Sequence, residues 1–258
     1  MTKQCGFPYK NFVTPLEKSL SPGRLDLYER LAKNAGADQL ENALQLYCWN
    51  TSLSQAFYWP VQSFEITLRN AMADAIADAY GDNWYEDIAS FSSSRRSVDS
   101  DEIKQVKKAQ EKLDKDGLAY GHDTIVAAIS FGFWAGLLKG EYKAKLWDPL
   151  FSKFLPMIGL KEAFEKTHHV KDLRNNIAHY EPIIVFLPSS NHRELFKDYK
   201  LILKLIRWIC PDTAHWVEFH SAANFYSAWN SCPDFLKVAR LSSKVEGGEA
   251  DSQNWKWV

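Results

Sequence analysis

The sequence is poor in cysteine and contains no long hydrophobic run. Its four cysteines lie far apart and include no C-x-x-C pair, so neither a zinc site nor a disulfide framework is predicted. No stretch approaches the roughly 20 apolar residues of a membrane-spanning helix, and residues 1–11 lack the apolar segment of a signal peptide. We therefore expect a cytoplasmic protein with reduced thiols and no membrane association.

The chain also lacks an excess of charge of either sign and any nucleotide-binding fingerprint. Its formal net charge is -1, so no overall field attracts nucleic acid or lipid, and any anion site must be a local cluster. No P-loop, G-x-G-x-x-G sequence or nucleophile elbow is present. These absences exclude the enzyme classes that such motifs define, and no cofactor is predicted.

The chain is rich in hydrophobic residues, which make up 46% of its 258 positions. Ten of them are tryptophans, which are large, rigid packing units. The apolar spacing is that of amphipathic helices in nearly every segment, whereas no strand alternation is convincing. These patterns predict an all-α protein with a single helical domain over residues 1–243. The polar residues 244–258 predict a flexible C-terminal tail.

Prolines, glycines and capping residues set the expected helix boundaries. Pro60 is expected to break or kink a helix, Gly81 and Gly117 to end helices, and Asp99 or Ser100 to cap one. The chain is expected to be irregular before the first helix. The predicted helices span 21–36, 40–57, 61–80, 101–113, 124–138, 147–154, 161–179 (one helix, or two that meet near Lys171), 193–210 and 213–231.

The clearest chemical signal is the sequence D-L-R-N-N-I-A-H-Y-E-P at residues 172–182. Arg174 has a guanidinium that stays charged and binds phosphate through two parallel hydrogen bonds. His179 has the side chain whose proton moves most easily near neutral pH. Together they meet the needs of a site that cuts or grips RNA.

Arg174 and His179 do not share a face of an ideal helix, because five residues correspond to about 140°. Asn175 and His179, four residues apart, do share one. The arginine and the histidine can act together if the arginine stem wraps round the helix or if the helix starts within the motif. They can also do so if a second copy of the chain completes the site.

Cleavage of RNA by its own 2′-hydroxyl needs no metal ion. It needs a base for that hydroxyl, an acid for the leaving oxygen and a cation for the charge on the phosphorane. His179 suits the first two roles, and Arg174 suits the third. One histidine serves one proton transfer at a time, so two histidines from a two-fold dimer match the reaction.

Structural roles for the same residues are also open. Arg174 can pair with a carboxylate such as Glu65, and His179 can be an ordinary helix residue. Glu65 and Arg69 have the i,i+4 spacing of a common helix-supporting ion pair. Asn70 ends a Leu-Arg-Asn triplet that repeats part of the main motif, but no histidine follows at the matching offset.

Two further polar clusters have weaker functional signals. His168 and His169 point about 100° apart on a helix, and no glutamate or cysteine completes a ligand set, so no metal site is predicted. Arg95 and Arg96, with the lysines of 104–108, can contact an RNA backbone. The acidic residues among them favour a solvated face instead.

Several segments occur in an order that a known family shares. They are Y-C-W-N at 47–50, E-I-T-L-R-N at 65–70, Y-G-D-N-W-Y at 80–85, S-F-G-F-W at 130–134, L-W at 146–147 and L-R-N-N-I-A-H-Y-E-P-I at 173–183. Together they resemble the Abi-like family of bacterial proteins, linked to abortive infection by phage, within the HEPN superfamily. That family usually has a second histidine where this chain has Tyr180, and often an arginine where it has Asn176.

The resemblance implies a HEPN-like helical bundle elaborated with extra helices, and a metal-independent endoribonuclease. The site residues that it implies are the catalytic Arg174, His179 and Asn175 and the supporting Glu65, Arg69 and Asn70. Because only one dyad is present and sites in that superfamily are commonly composite, a homodimer is expected. The implied role is phage defence or a toxin-like activity, held in check by an RNA or protein partner. A non-catalytic RNA-binding or partner-binding module stays open as the alternative.

Overall fold

The computed structural model describes residues 8–93, 100–186 and 193–236. Every regular element in these ranges is helical, which confirms the all-α prediction. The α-helices are α1 (Val13–Leu20), α2 (Pro22–Asn34), α3 (Leu40–Tyr80), α4 (Asp101–Asp116), α5 (His122–Ala128), α6 (Phe131–Gly136), α7 (Leu160–Ala178), α8 (Arg193–Ile209) and α9 (Pro211–Asn230). The shorter turns are 3-10 helices at Tyr9–Asn11, Trp84–Glu86, Ile88–Phe91, Gly140–Tyr142, Phe151–Lys153 and Ile183–Phe186, and a π-helix at Lys143–Trp147.

Several helix ends follow their local sequence signals. The Ser100 hydroxyl accepts a hydrogen bond from the backbone N–H of Ile103 at 3.3 Å and so caps α4. Gly117, with φ +65°, ends α4, and Gly81, with φ +88°, follows α3. Glycine adopts this left-handed backbone without a Cβ clash. Pro211 begins α9, where its missing N–H would have no helical partner in any case.

Pro60 does not break the chain into two helices as expected. It lies inside α3, which runs without interruption for 41 residues. A proline inside a helix removes one backbone hydrogen bond. The neighbouring Phe57, Val61 and Phe64 are at most 3% exposed, so burial of apolar side chains on both sides of the proline offsets the lost bond.

The apolar segment 124–138 contains two helices rather than the one expected. Ile129 and Ser130 have extended backbones, with ψ of 138° and 159°, and they separate α5 from α6. Apolar residues are buried on both sides of this break, so the hydrophobic pattern continues through it. α1 was not expected and carries Pro15 in its first turn, where proline is tolerated. The motif segment forms a single helix, α7, and not two that meet near Lys171.

The chain divides into two compact units, and some of the boundaries between them fall inside α3, α8 and α9. Unit 1 takes residues 1–56, 182–195 and 223–258, and unit 2 takes residues 57–181 and 196–222. The single domain over 1–243 therefore stays a prediction. The proposed tail at 244–258 lies outside the described residues.

In unit 1, the side chain of Asn50 fixes the backbone that follows the motif in sequence. Asn50 is 5% exposed, and its Oδ1 accepts hydrogen bonds from the backbone N–H of Ile183 at 2.8 Å and of Ile184 at 3.2 Å. The neighbouring Trp49 donates from Nε1 to the carbonyl oxygen of Ala228 at 3.0 Å. Since buried backbone donors need acceptors, Asn50 has a structural role.

In unit 2, aromatic rings fill the core. Trp84, Phe133 and Trp134 are at most 1% exposed, and their ring centroids lie 4.9–6.0 Å apart. Phe64 of α3 meets Phe131 of α6 edge to face at 6.0 Å. Through Phe64, this core packs against α3, the helix that carries Glu65 and Arg69.

A partly buried ion pair joins α4 to the segment after α6 within unit 2. The carboxylate of Glu102 is almost fully buried, and it accepts hydrogen bonds from Lys139 Nζ at 2.7 Å and from the Tyr142 hydroxyl at 3.1 Å. Burial alone would raise the pKa of Glu102, but the hydrogen bond from Lys139, a backbone hydrogen bond, the charge of Lys139 and the Tyr142 hydroxyl together outweigh it and hold that pKa below its ordinary value. Glu102 is therefore a charged residue of the core.

Three absences apply to the described ranges only. No helix in them is both long and apolar enough to cross a membrane. No group of three or more histidine, cysteine, aspartate or glutamate side chains is placed to hold a metal ion. Cys48 and Cys210 are free thiols.

Candidate active site

The motif occupies the C-terminal end of α7. Arg174 lies in the last turns of the helix, and His179 follows its final residue, Ala178. The backbone N–H of His179 still donates to the carbonyl of Asn175 at 2.9 Å. Because the helix begins at Leu160 and ends here, a helix that starts within the motif is excluded as the way to unite the arginine and the histidine.

The chain turns sharply directly after His179. Tyr180 has φ +59°, its N–H donates to Ile177 at 3.2 Å, and the N–H of Glu181 donates to Asn176 at 2.7 Å. This pair of bonds is a Schellman motif, in which glycine usually holds the left-handed position. A residue with a side chain adopts that backbone at a cost of about 1–2 kcal/mol. Tyr180 is also 78% exposed. The residue directly after His179 therefore has both a strained backbone and an exposed side chain.

A carboxylate of α3 holds the guanidinium of Arg174. Arg174 Nε donates to Glu65 Oε2 at 3.1 Å, and Nη1 donates to the Asn175 side-chain oxygen at 3.4 Å. The Arg174–Glu65 ion pair is partly buried, with side chains 40% and 21% exposed. The pairing that sequence left open is therefore present, and it fixes the plane of the guanidinium.

The supporting residues on α3 are arranged differently from the expected helix pair. Arg69 Nε donates to Asn70 Oδ1 at 3.1 Å. Among the described ion pairs, none joins Glu65 to Arg69, because the Glu65 carboxylate faces Arg174 instead. The i,i+4 expectation for these two residues is therefore wrong, and Glu65 contributes to tertiary rather than to local structure.

Both arginines line one pocket of about 330 Å³ in unit 2. Its walls come from one face of α3 and from the end of α7. The apolar lining residues are Val61, Ile66, Ile177 and Ala178, and the remaining ones are Tyr58, Gln62, Glu65, Arg69 and Arg174. A pocket that combines apolar walls, one carboxylate and two guanidinium groups suits an anionic ligand with a flat apolar part.

His179 lies at the edge of this arrangement and is exposed. Its imidazole makes no hydrogen bond or ion pair with any residue in the described part of the chain, and it does not line the pocket. The structure brings together Arg174, Asn175 and Glu65, and it places Arg69 and Asn70 beside them. No hydrogen bond or ion pair joins His179 to Arg174 in the described residues, which agrees with their separation on an ideal helix.

The other predicted clusters lie elsewhere. His168 Nδ1 lies 3.0 Å from the carbonyl oxygen of Phe164, and burial lowers the pKa of His168. His169 Nε2 lies 2.7 Å from Asp198 Oδ1, and this hydrogen bond raises the pKa of His169. His168 and His169 therefore have different hydrogen-bonding partners, and they do not point toward a common metal site. Arg95 and Arg96 lie outside the described residues.

Sequence reasoning missed Tyr58, Gln62 and Ile66. Their spacing of four residues was a usable signal, because it places them on the same stripe of α3 as Glu65 and Arg69. Tyr58 is 61% exposed and Ile66 is 38% exposed. The predicted helices 40–57 and 61–80 leave out Tyr58, because a break was expected at Pro60, so the sequence did not indicate that the stripe continues to Tyr58.

A family model described as Abi-like protein matches residues 10–185 of the chain. The match covers α1 to α7 and every residue of the candidate site, and it supports the family that the sequence segments resemble. No curated protein and no solved structure matches the chain significantly.

Proposed function

We propose, from the premise that this chain belongs to the Abi-like protein family, that it is a metal-independent endoribonuclease of the HEPN type acting in phage defence. The observation that carries the proposal is the arrangement of Arg174, held by Glu65 at a pocket that Arg69 also lines. A guanidinium in a fixed orientation is suited to a phosphate. The exposed His179 at the adjoining helix end is suited to proton transfer.

The proposed reaction uses the 2′-hydroxyl of the RNA as the nucleophile. His179 of one copy of the chain takes the proton of that hydroxyl, and O2′ forms a bond to phosphorus while the bond from phosphorus to the 5′-oxygen breaks. His179 of the second copy gives a proton to that leaving oxygen. Arg174 stabilises the negative charge of the phosphorane. The products are a 2′,3′-cyclic phosphate and a 5′-hydroxyl.

A second copy of the chain is part of the proposal because two proton transfers need two groups. The imidazole of His179 is exposed and has no hydrogen-bonding partner in the described residues, so it is accessible to another molecule. A two-fold axis near the end of α7 would bring two such histidines to one phosphate. An inhibitory RNA or protein that covers this end would hold the activity in check.

A non-catalytic RNA-binding or partner-binding module is the second candidate. It is favoured by the Arg174–Glu65 ion pair, which offsets part of the positive charge, and by the lack of any described group that orients the imidazole of His179. A catalytic histidine commonly has a partner at its second ring nitrogen. Binding through the same pocket requires neither the proton transfers nor the second histidine.

An RNA cleavage assay in EDTA separates the two candidates. Mixed RNAs are incubated with the wild type, with His179→Ala and with His215→Ala, which removes another exposed histidine as a matched control. We expect the wild type and His215→Ala to release fragments with 2′,3′-cyclic phosphate ends, and His179→Ala to lose activity by about 10²–10⁴-fold. Expression of the same variants in cells tests for growth arrest, in case cleavage needs a trigger. Intact RNA and normal growth with the wild type, together with measurable RNA binding, would establish the second candidate.

A mixing experiment tests the composite site. Wild-type chains are mixed and re-equilibrated with increasing fractions of His179→Ala chains at constant total concentration. If each site needs both histidines, the activity falls as the square of the wild-type fraction. A linear fall, or full activity from a species that sediments only as a monomer, would contradict the dimer.

A further inference from the structure

The pocket beside Arg174 is lined by two chemically distinct groups of side chains. Arg69 and Arg174 supply positive charge, whereas Tyr58 is 61% exposed and Gln62 is an exposed residue with an amide side chain. The proton-transfer chemistry proposed above uses none of the second group. The presence of Tyr58 and Gln62 at the pocket is therefore not explained by the proposed reaction.

The size and the walls of the pocket suit a single flat ring system. Its volume of about 330 Å³ lies at the small end of the range for ligand pockets, roughly 300–1,000 Å³. Val61 and Ile177 give the pocket an apolar lining. The guanidinium of Arg174 is fixed by Glu65, so a phosphate that it binds would be joined through a ribose to a ring in the pocket.

We propose that this pocket is a base-binding subsite for the RNA nucleotide next to the phosphate that Arg174 binds. Tyr58 is the stacking surface, and Gln62 is the group that hydrogen-bonds to the edge of the base. This inference rests on the proposed function for the choice of RNA as the ligand. It adds a sequence preference that the Arg174–His179 dyad by itself does not have.

The chemistry of the wall selects among the bases. Single-stranded RNA is read through stacking on aromatic side chains and through hydrogen bonds to exposed base edges. The Gln62 amide offers one acceptor and two donors. The Glu65 carboxylate, three residues further along the same stripe, offers acceptors only. A base that carries an exocyclic amino group can donate to both side chains, and uracil, which has no amino group, cannot. The subsite therefore prefers adenine, cytosine or guanine to uracil.

The test measures binding separately from cleavage. Fluorescence anisotropy with 2′-O-methyl hexanucleotides of adenine, cytosine or uracil avoids hydrolysis, because the nucleophilic hydroxyl is blocked. We expect the adenine and cytosine probes to bind more tightly than the uracil probe. Tyr58→Ala should weaken all three by about tenfold, as loss of one stacked base predicts, and Tyr58→Phe should bind as the wild type does.

Gln62→Leu tests the reading of the base edge. We expect it to reduce the preference for adenine and cytosine over uracil, because the acceptor of Gln62 is lost while the acceptors of Glu65 remain. Phe219→Ala is the matched control, because Phe219 is an exposed aromatic residue of unit 2 outside the pocket, 74% exposed. Circular dichroism and thermal unfolding of each variant identify any loss of folding.

The outcomes distinguish this inference from the proposed function. RNA cleavage with no effect of Tyr58 or Gln62 on affinity overturns the subsite and leaves the nuclease in place. Affinity that depends on Tyr58 and Gln62, without cleavage by the wild type under any condition, supports the subsite and removes the nuclease. A wild type that binds none of the probes overturns the subsite directly.

Discussion

Glu65 and Arg174 lie 109 positions apart in sequence, and a hydrogen bond of 3.1 Å joins Glu65 Oε2 to Arg174 Nε. The bond uses the side of the guanidinium nearest the helix backbone. It also restrains a long side chain that would otherwise sample many rotamers. The orientation of the Arg174 guanidinium therefore depends on a carboxylate of a different helix.

The first prediction concerns Glu65. Glu65→Ala removes the acceptor of Arg174 Nε, and a hydrogen bond to a charged group contributes about 1.5–3 kcal/mol. We expect RNA cleavage to fall by roughly 10–100-fold, at about tenfold for each 1.36 kcal/mol. Glu65→Gln keeps a carbonyl acceptor and should retain most of the activity. Single-turnover cleavage rates measure both effects, and equal losses in the two variants would show that charge rather than orientation matters.

The second prediction concerns the folding role of Asn50. Asn50→Ala leaves the backbone N–H groups of Ile183 and Ile184 buried without their acceptor. Each unsatisfied buried donor costs about 1–3 kcal/mol, so we expect the free energy of unfolding to fall by about 2–6 kcal/mol. Asn50→Asp keeps an acceptor oxygen and should lose less. Urea denaturation checks both variants. A loss of unfolding free energy below about 0.5 kcal/mol for Asn50→Ala would refute the structural role of Asn50.

The third prediction concerns Gly136 in α6. A Cβ at this position would overlap the Glu102 carboxylate. Since Lys139 and Tyr142 hold that carboxylate, it cannot move without breaking a partly buried ion pair. We expect Gly136→Ala to destabilise the fold by about 1–3 kcal/mol, the usual cost of overpacking.

Gly140→Ala is the matched control for this steric effect, because no atom lies within 4 Å of the Cβ it would add. Thermal unfolding of the two variants side by side gives the comparison. Equal melting temperatures for Gly136→Ala and the wild type would show that Glu102 relaxes freely.

The fourth prediction concerns pH and the pair of His169 with Asp198. The pKa of His169 is raised in the folded protein, so the bound proton stabilises the fold. This contribution is full below the unfolded pKa of about 6.5 and is lost as the pH rises through the folded value. Asp198→Asn should therefore destabilise the protein at pH 5.5 but much less at pH 9. The side chain of His169 is 47% exposed, so the difference should stay below about 1 kcal/mol.

Urea denaturation at the two pH values measures this effect. Asp38→Asn, which removes an exposed carboxylate in a different part of the chain, should show no such difference. Equal destabilisation of the Asp198→Asn variant at pH 5.5 and pH 9 would show that the His169–Asp198 pair does not make stability depend on pH.

The helix class and many helix ends could be predicted because their causes are local. Ser100 caps α4 through a neighbouring N–H, and Gly81 and Gly117 take backbones that other residues avoid. Pro60 and Ser130 show the opposite case. Whether a helix continues through a proline, or stops inside an apolar run, depends on packing against residues that are distant in sequence.

The candidate site was predictable only in the part that depends on local sequence. The chemistry of Arg174 and His179, and the angle between them, follow from residue type and helical spacing. The sequence left two possible partners for Glu65. One is Arg69, four residues away, and the other is Arg174, which is distant in sequence. Only the structure shows that the distant arginine takes the hydrogen bond.

The backbone at Tyr180 restricts which substitutions this position can accept during evolution. A left-handed φ of +59° is tolerated by glycine, asparagine, aspartate and histidine far more readily than by β-branched side chains. We therefore expect valine, isoleucine and threonine to be strongly disfavoured beside His179 on conformational grounds, whatever the chemical role of the side chain.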